Sequence, residues 1–470
     1  MNKYSRYFGQ LMKKIHISKW DLIIVTIVII VRISFYANLS VLWAGDSEGY
    51  VNYTWFHVRT PVYPLIIDFF QLVAGDYYIY PLIVFQIVFS FISALIMEQT
   101  AYYTIKILNN NLRDSFVSTI CRIVFVIYAI NPSIFVWDMS VLTESIAISS
   151  TVIFIFFVVR FLNKRRAIDG VYMVLASFFA MMIRPASQIL FWDLVILIVV
   201  LLFNKKCRKK LYPALFIGIA LSALAFLYMS AEYEKNGTFQ LSNLKPRHDL
   251  VKVLQSGLYL NYSDEELVEK IKELYHDSEW LDIVVYRQEL MDLFGDSIKE
   301  ANVNISEFNG YCIKTDLPTY IKHISNIFCD VLRCRFVPYA NSRDGLFSLN
   351  VSIDRWMPTR MPVLFSIVRF LSLIFDGVTV FHVLLIGIFL FVSFVIHTIK
   401  RRESAYLLMG ISGGILSTLV STIIGTFSEF GRCLIETLPF YYVGLISVAI
   451  IAINWIVTTE PKHEVMLVEQ

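Results

Sequence analysis

The chain has 470 residues, of which 57% are hydrophobic, 15% aromatic and 17% charged, and its mean hydropathy is +0.61. That much apolar surface excludes an ordinary soluble domain and points to a polytopic membrane protein. A net charge of +3, with the basic residues in short clusters between apolar runs, excludes a nucleic-acid partner and reads instead as a topology signal.

Crossing a hydrocarbon core of about 30 Å takes roughly 20 helical residues. Ten segments meet or nearly meet that length, near 20–39, 79–101, 115–136, 142–162, 168–184, 186–203, 211–232, 379–399, 404–427 and 437–457. The first is too long for a cleaved signal and lacks a small-residue cleavage site, so it is expected to be retained as a span. Backbone amides find no water in a bilayer, and the alternation of a barrel strand is absent, so the fold class expected is an all-α polytopic membrane protein.

Lys and Arg collect at Lys13, Lys14 and Lys19, at Lys164 to Arg166, at Lys205 to Lys210 and at Lys400 to Arg402. All of these fall on one side of the ten-span arrangement, which places both termini in the cytoplasm and the loops 40–78, 137–141, 233–360 and 428–436 outside. Counting Met361 to Asp376 as a further span would move the Lys400 cluster across the membrane, so that run is expected as an interfacial or re-entrant helix. The organisation expected is a seven-span module over 1–232, an extracytoplasmic insert over 233–378 and a three-span region with a tail over 379–470. Within the insert, Ser263 to Glu266 reads as a capping box ahead of Leu267, Ile271 and Leu274. A second helix is expected through Trp280, Val284, Leu290 and Phe294, and a third over Leu317 to Arg335 with Pro318 in its first turn.

The chemistry-bearing residues sit in the short outer loops. Asp46 and Glu48 follow the first span, in front of His57, Arg59 and Tyr63; a carboxylate at that depth can act as general base toward an acceptor hydroxyl or amine. Helix capping by Asp46, or plain solvation of both acids, fits those residues as well. Asp138 and Glu144 flank the head of the fourth span, where an unpaired charge is costly unless it is functional. Capping by Thr143, with Glu144 in the first turn, is the alternative. Arg184 and Arg432 lie on the same outer side, and with Arg32 and Arg59 they can hold a phosphate through bidentate contacts or simply snorkel to headgroups.

Weaker signals are discounted. Asp46-Ser-Glu48 leaves room for a divalent cation, Mg or Mn, but the tripeptide alone decides nothing. The eight histidines show no HExxH spacing, so no histidine metal site is read. Cys121, Cys207, Cys312, Cys329, Cys334 and Cys433 show no CxxC pair, with one disulfide left open among Cys312, Cys329 and Cys334. Gly410 and Gly414 form a GxxxG suited to close helix packing.

Gly45 to Tyr50 after span one, Arg59 to Pro64, Leu142 to Glu144 opening span four, Arg184-Pro185 after span five and Glu429 with Arg432 and Pro439 together resemble the GT-C superfamily of membrane glycosyltransferases. Within it the similarity is to bacterial relatives of protein O-mannosyltransferases and lipid A aminoarabinose transferases. The resemblance covers the first seven spans and extends more loosely beyond them. It implies Asp46 as the first-loop catalytic aspartate, Asp138 as the second-loop acid, and Arg59, Arg184 and Arg432 as contacts to donor phosphate or sugar. It departs where the family has Asp-Glu adjacent and this chain has Asp-Ser-Glu, and where Cys433 replaces a tyrosine after the arginine. The activity implied is transfer of a hexosyl or pentosyl group, with inversion, from a polyprenyl-phosphate-linked sugar to a glycan, lipid or protein acceptor at the outer face of the cell membrane. A transporter or flippase for lipid-linked glycans, or a glycan polymerase or ligase, is the alternative. A transporter would show inverted repeats and midplane charges, neither of which is visible here.

Overall fold

The computed structural model describes residues 19–37, 39, 41–43, 45–55, 59–276, 288–336, 370, 374–375, 377–426 and 430–459. In chain order the helices are α1 (Lys19–Tyr36), α2 (Gly45–Val51), α3 (Val62–Ala74), α4 (Ile79–Leu108), α5 (Asp114–Ala129), α6 (Glu144–Lys164), α7 (Ala167–Ile183), α8 (Gln188–Leu202), α9 (Lys205–Asn236), α10 (Lys245–Gln255), α11 (Glu265–His276), α12 (Gln288–Asp292), α13 (Ile298–Thr315), α14 (Leu317–Arg333), α15 (Val380–Ile399), α16 (Ser404–Gly425), α17 (Phe430–Cys433) and α18 (Thr437–Thr459). No strand occurs among the described residues, only two isolated bridges. Each of the ten expected spans coincides with a helix, and seven of these are long and apolar enough to cross a membrane, or eight if the bent pair Asp114–Ala129 and Pro132–Met139 is one span.

The spans form because their apolar runs contain few breakers, and their ends carry local stop signals. Arg165 closes α6 in the left-handed region, and Gly237 closes α9. Gly237 is obligatory there: a Cβ would also lie 2.7 Å from the Lys299 carbonyl of α13. One continuous apolar core runs from α4 through α6 and α8 to α16 and α18, so the C-terminal helices belong to the same bundle as the first seven. A wide belt of exposed Ile, Leu, Phe and Trp on its flanks, including Trp192, Ile196, Phe216 and Ile388, is the surface that lipid would cover.

Both ends of the bundle are defined by charge. At one end Glu403 accepts from Arg165 and, at 2.8 Å, from Lys206, which draws together the basic turns after α6, after α8 and before α16. The acidic and arginine-bearing loops meet at the other end, because α6 begins at Glu144 and ends at Lys164.

Helix α3 was not expected in the first outer loop. It buries Tyr63, Pro64 and Ile67 and leaves Leu65, Phe69 and Leu72 exposed, as a short interfacial helix would. The insert has its own small core of Leu250, Leu254, Ile271, Phe294, Ile305 and Phe308, which joins α10, α11 and α13. The cap of α11 is Asp264, whose Oδ1 accepts from the Leu267 amide at 3.1 Å, in place of the expected Ser263 box. Helix α14 starts as expected, with Asp316 capping Thr319 at 3.1 Å and Pro318 in the first turn. The segment 277–287 and most of Met361 to Asp376 lie outside the described residues, and with them most of the second insert helix and the interfacial helix. All six cysteines are free, so no disulfide joins Cys312, Cys329 and Cys334.

Candidate active site

Two loops far apart in sequence are stitched together before any side chain is considered. The Leu42 amide donates to the Met139 carbonyl at 2.7 Å, and the Val141 amide to the Leu42 carbonyl at 2.9 Å. That short parallel bridge sets α2, which carries Asp46, beside the head of α6, which carries Glu144. Gln86, buried on α4, holds the second loop by donating to the carbonyls of Asp138 and Ser140 at 3.0 and 2.8 Å. Tyr63 in turn donates to Gln86 Oε1 at 3.1 Å.

Around this junction three arginines and three carboxylates form one chain of contacts. Asp46 Oδ1 accepts from Arg59 Nη2 at 2.5 Å and its Oδ2 from Arg432 Nη2 at 2.7 Å. Arg432 Nε donates to Glu144 Oε1. Arg184 Nη2 lies 3.7 Å from the same Glu144 oxygen, and its Nη1 lies 3.3 Å from Glu436 Oε1. Glu436 Oε2 then accepts from Ser187 Oγ at 2.5 Å. Glu144 is completely buried and Asp46 is the open end of the chain, its side chain 33% exposed. Arg59 is held over the Tyr50 ring at 4.8 Å, and its neighbour Thr60 bonds to the Ile183 carbonyl next to Arg184. Buried charges of this kind persist only when each finds a partner, which this chain of pairs supplies.

The electrostatics of Asp46 follow from its partners. Burial alone would raise its carboxyl, but the Arg59 and Arg432 guanidiniums outweigh that and lower it to about 2. Held so, Asp46 is a strong hydrogen-bond acceptor and a weak base toward a hydroxyl.

These groups open into a cavity of about 350 Å³, within the range of small-ligand sites. Its polar wall is Asp46, Arg59, Arg184 and Arg432; its apolar flank is Ile183, Ile189 and Trp192 on the bundle; the insert contributes Gln240, Ser242, Lys245 and His248.

Of the residues singled out from sequence, Asp46, Glu144, Arg59, Arg184 and Arg432 are thus brought together. Asp138 is not: it is fully buried away from the cavity, accepting from Tyr36 at 2.6 Å and Ser145 at 2.6 Å with Arg32 3.8 Å away. Arg32 is consumed there too, donating to the Ala129 carbonyl and Ser90. These two make a structural lock on the bent helix pair, so their position does not fit substrate contact. Glu48 is exposed and off the cavity wall, and Tyr63 supports Tyr50 edge-on at 5.1 Å from one layer behind. His57 and Glu429 lie outside the described residues.

Sequence reasoning missed Glu436, although a carboxylate at the head of α18 carried the same signal as Glu144. It also missed Lys245 and His248, for which the insert sequence holds no motif. The Asp46-Ser-Glu48 set does not suit Mg or Mn, because both Asp46 oxygens are taken by guanidiniums, Ser47 is buried and Glu48 stands apart. Among the described residues no three His, Cys, Asp or Glu side chains converge as a metal site. No family model, curated protein or solved structure matches this chain.

Proposed function

We propose that this protein is a GT-C-like glycosyltransferase that moves a sugar from a polyprenyl-phosphate donor to an acceptor at the outer face of the membrane, with the termini and the basic turns in the cytoplasm. The observation that carries the reading is Asp46 held between Arg59 and Arg432 at the mouth of the cavity, with Arg184 behind. A phosphodiester offers the same oxygens as a carboxylate, and guanidiniums bind both through paired N–H donors. In this account Asp46 keeps two arginines aimed into the cavity until the donor phosphate takes them over, and they then stabilise the departing polyprenyl phosphate. Ile189 and Trp192, which line the same cavity, give the prenyl chain an apolar approach. The displaced Asp46 is left to hydrogen-bond the acceptor.

The test is mass spectrometry of envelope glycans and lipid-linked sugars from cells with the protein, without it, and with Asp46→Asn. The expected result is that loss of the protein removes one sugar from a glycan and accumulates its lipid-linked donor, and that Asp46→Asn, inserted in normal amount, behaves like the loss. Unchanged glycans and donors in cells lacking the protein would overturn the reading.

A further inference from the structure

Helix α10 of the insert sits on the end of α16, where Lys252 Nζ donates to the Ile424 carbonyl and His248 Nδ1 meets the Gly425 carbonyl at 2.9 Å. Helix α14 lies across the same end of the bundle. Its Tyr320 packs on the core of the insert, and its His323 is near Lys252. Further along, the Cys334 carbonyl accepts from the Val380 amide at 2.9 Å, at the head of α15. Spans α15 and α16 are joined by a short turn and run side by side in opposite directions, so the head of one and the end of the other share one level. Helix α14 packs against both spans. A helix tied in this way to two span ends runs along the membrane boundary rather than away from it.

The faces of α14 differ sharply. At about 100° per residue, Leu317, Ile321, Ile324 and Phe328 fall in one sector about 60° wide, while Lys322, Asn326 and Arg333 fall opposite. Next to that sector, Ile327 and Val331 are buried in the core of the bundle, with Ile324 packed against it. Leu317, Ile321 and Phe328 are instead 49%, 56% and 36% exposed. The exposed stripe therefore adjoins the face turned to the spans, whose own flanks, Phe381, Leu385 and Ile388 of α15 among them, belong to the lipid-covered belt.

We propose that α14 is an in-plane membrane-surface helix, whose stripe of Leu317, Ile321 and Phe328 enters the lipid leaflet at the cavity end of the bundle. Lys322, Asn326 and Arg333 then face headgroups and water, as the polar side of an interfacial helix does. The partner is the lipid surface itself, and the proposal does not depend on the chemistry of the cavity. Its consequence for the cavity is positional. Seated in the leaflet, α14 holds α10, and with it the wall formed by Lys245 and His248, at the height of the lipid headgroups.

The experiment places a bimane fluorophore on the full-length protein in phosphatidylcholine vesicles. Cys329→Ser and Cys433→Ser remove the two cysteines that are not buried. In that background Ile321→Cys and Phe328→Cys label the stripe, Lys322→Cys and Asn326→Cys label the opposite face, and thermal unfolding verifies that each variant is folded. Brominated phosphatidylcholine quenches from within the leaflet and iodide from the water. Lipid quenching is expected to be roughly twofold or more stronger at positions 321 and 328 than at 322 and 326, with the order reversed for iodide. Equal iodide quenching at all four positions would show the stripe facing water and overturn the proposal. Protection of positions 321 and 328 from both quenchers would overturn it as well, because protein would then cover the stripe, either the apolar run Met361 to Asp376 or a second copy of the chain.

Discussion

Glu144 shows how much one residue settles. It is buried without solvent contact and faces Arg432 and Arg184, so its removal leaves two largely buried guanidiniums with only Asp46 and Glu436 to balance them. Breaking such a pair costs about 3–5 kcal/mol. Glu144→Ala is therefore expected to lower the melting temperature of the detergent-solubilised protein clearly; a melting point equal to wild type would show that the chain of pairs is not a structural element. Asp46 gives a pH dependence whose sign is fixed. Its folded pKa of about 2 lies below the ordinary 3.8, so its stabilising contribution is complete above about 3.8 and is lost as the pH falls toward 2. Acid unfolding of wild type should be steeper over that window than that of Asp46→Asn, and parallel curves would contradict the pairing. These charges were legible in the sequence, since an acid or arginine at the head of an apolar run is costly and must be explained. Their grouping was not: Asp138 and Glu144 are six positions apart, yet one turns toward Arg32 inside the bundle and the other toward Arg432.

At the scale of elements, apolar length alone located a helix at each of the ten expected positions, seven of them long and apolar enough to cross a membrane, or eight with the bent pair. The elements that length cannot see were missed: α3 has 13 residues, too few to cross, and α13 carries Asn302 and Asn309 on its buried face. The GxxxG motif was legible only in part. A Cβ on Gly414 would overlap the Phe440 ring of α18, whereas one on Gly410 would meet Leu197 at an ordinary 3.8 Å. Gly410→Ala is accordingly expected to leave thermal stability within about 1 kcal/mol, and Gly414→Leu to lose several through overpacking. Equal effects of the two substitutions would show that the motif acts as a unit and not through the contact of α16 with α18.

The whole molecule is a bundle with one basic end and one end where paired arginines and acids surround a cavity. Sequence periodicity reaches neither the bridge between Leu42 and Ser140 nor the seating of α10 on α16, because both join segments about 100 and 170 positions apart. Those two contacts turn scattered loops into a site. The central claim is that the arginine-lined cavity binds the phosphate of a lipid-linked sugar. Native mass spectrometry of the protein released from cell membranes tests it most directly. Wild type is expected to carry a mass equal to a polyprenyl-phosphate sugar, and Arg59→Gln, at a side chain 19% exposed on the cavity wall, to carry it at least tenfold less often. Wild type without any such adduct, or an Arg59→Gln variant that retains it undiminished, would contradict the account.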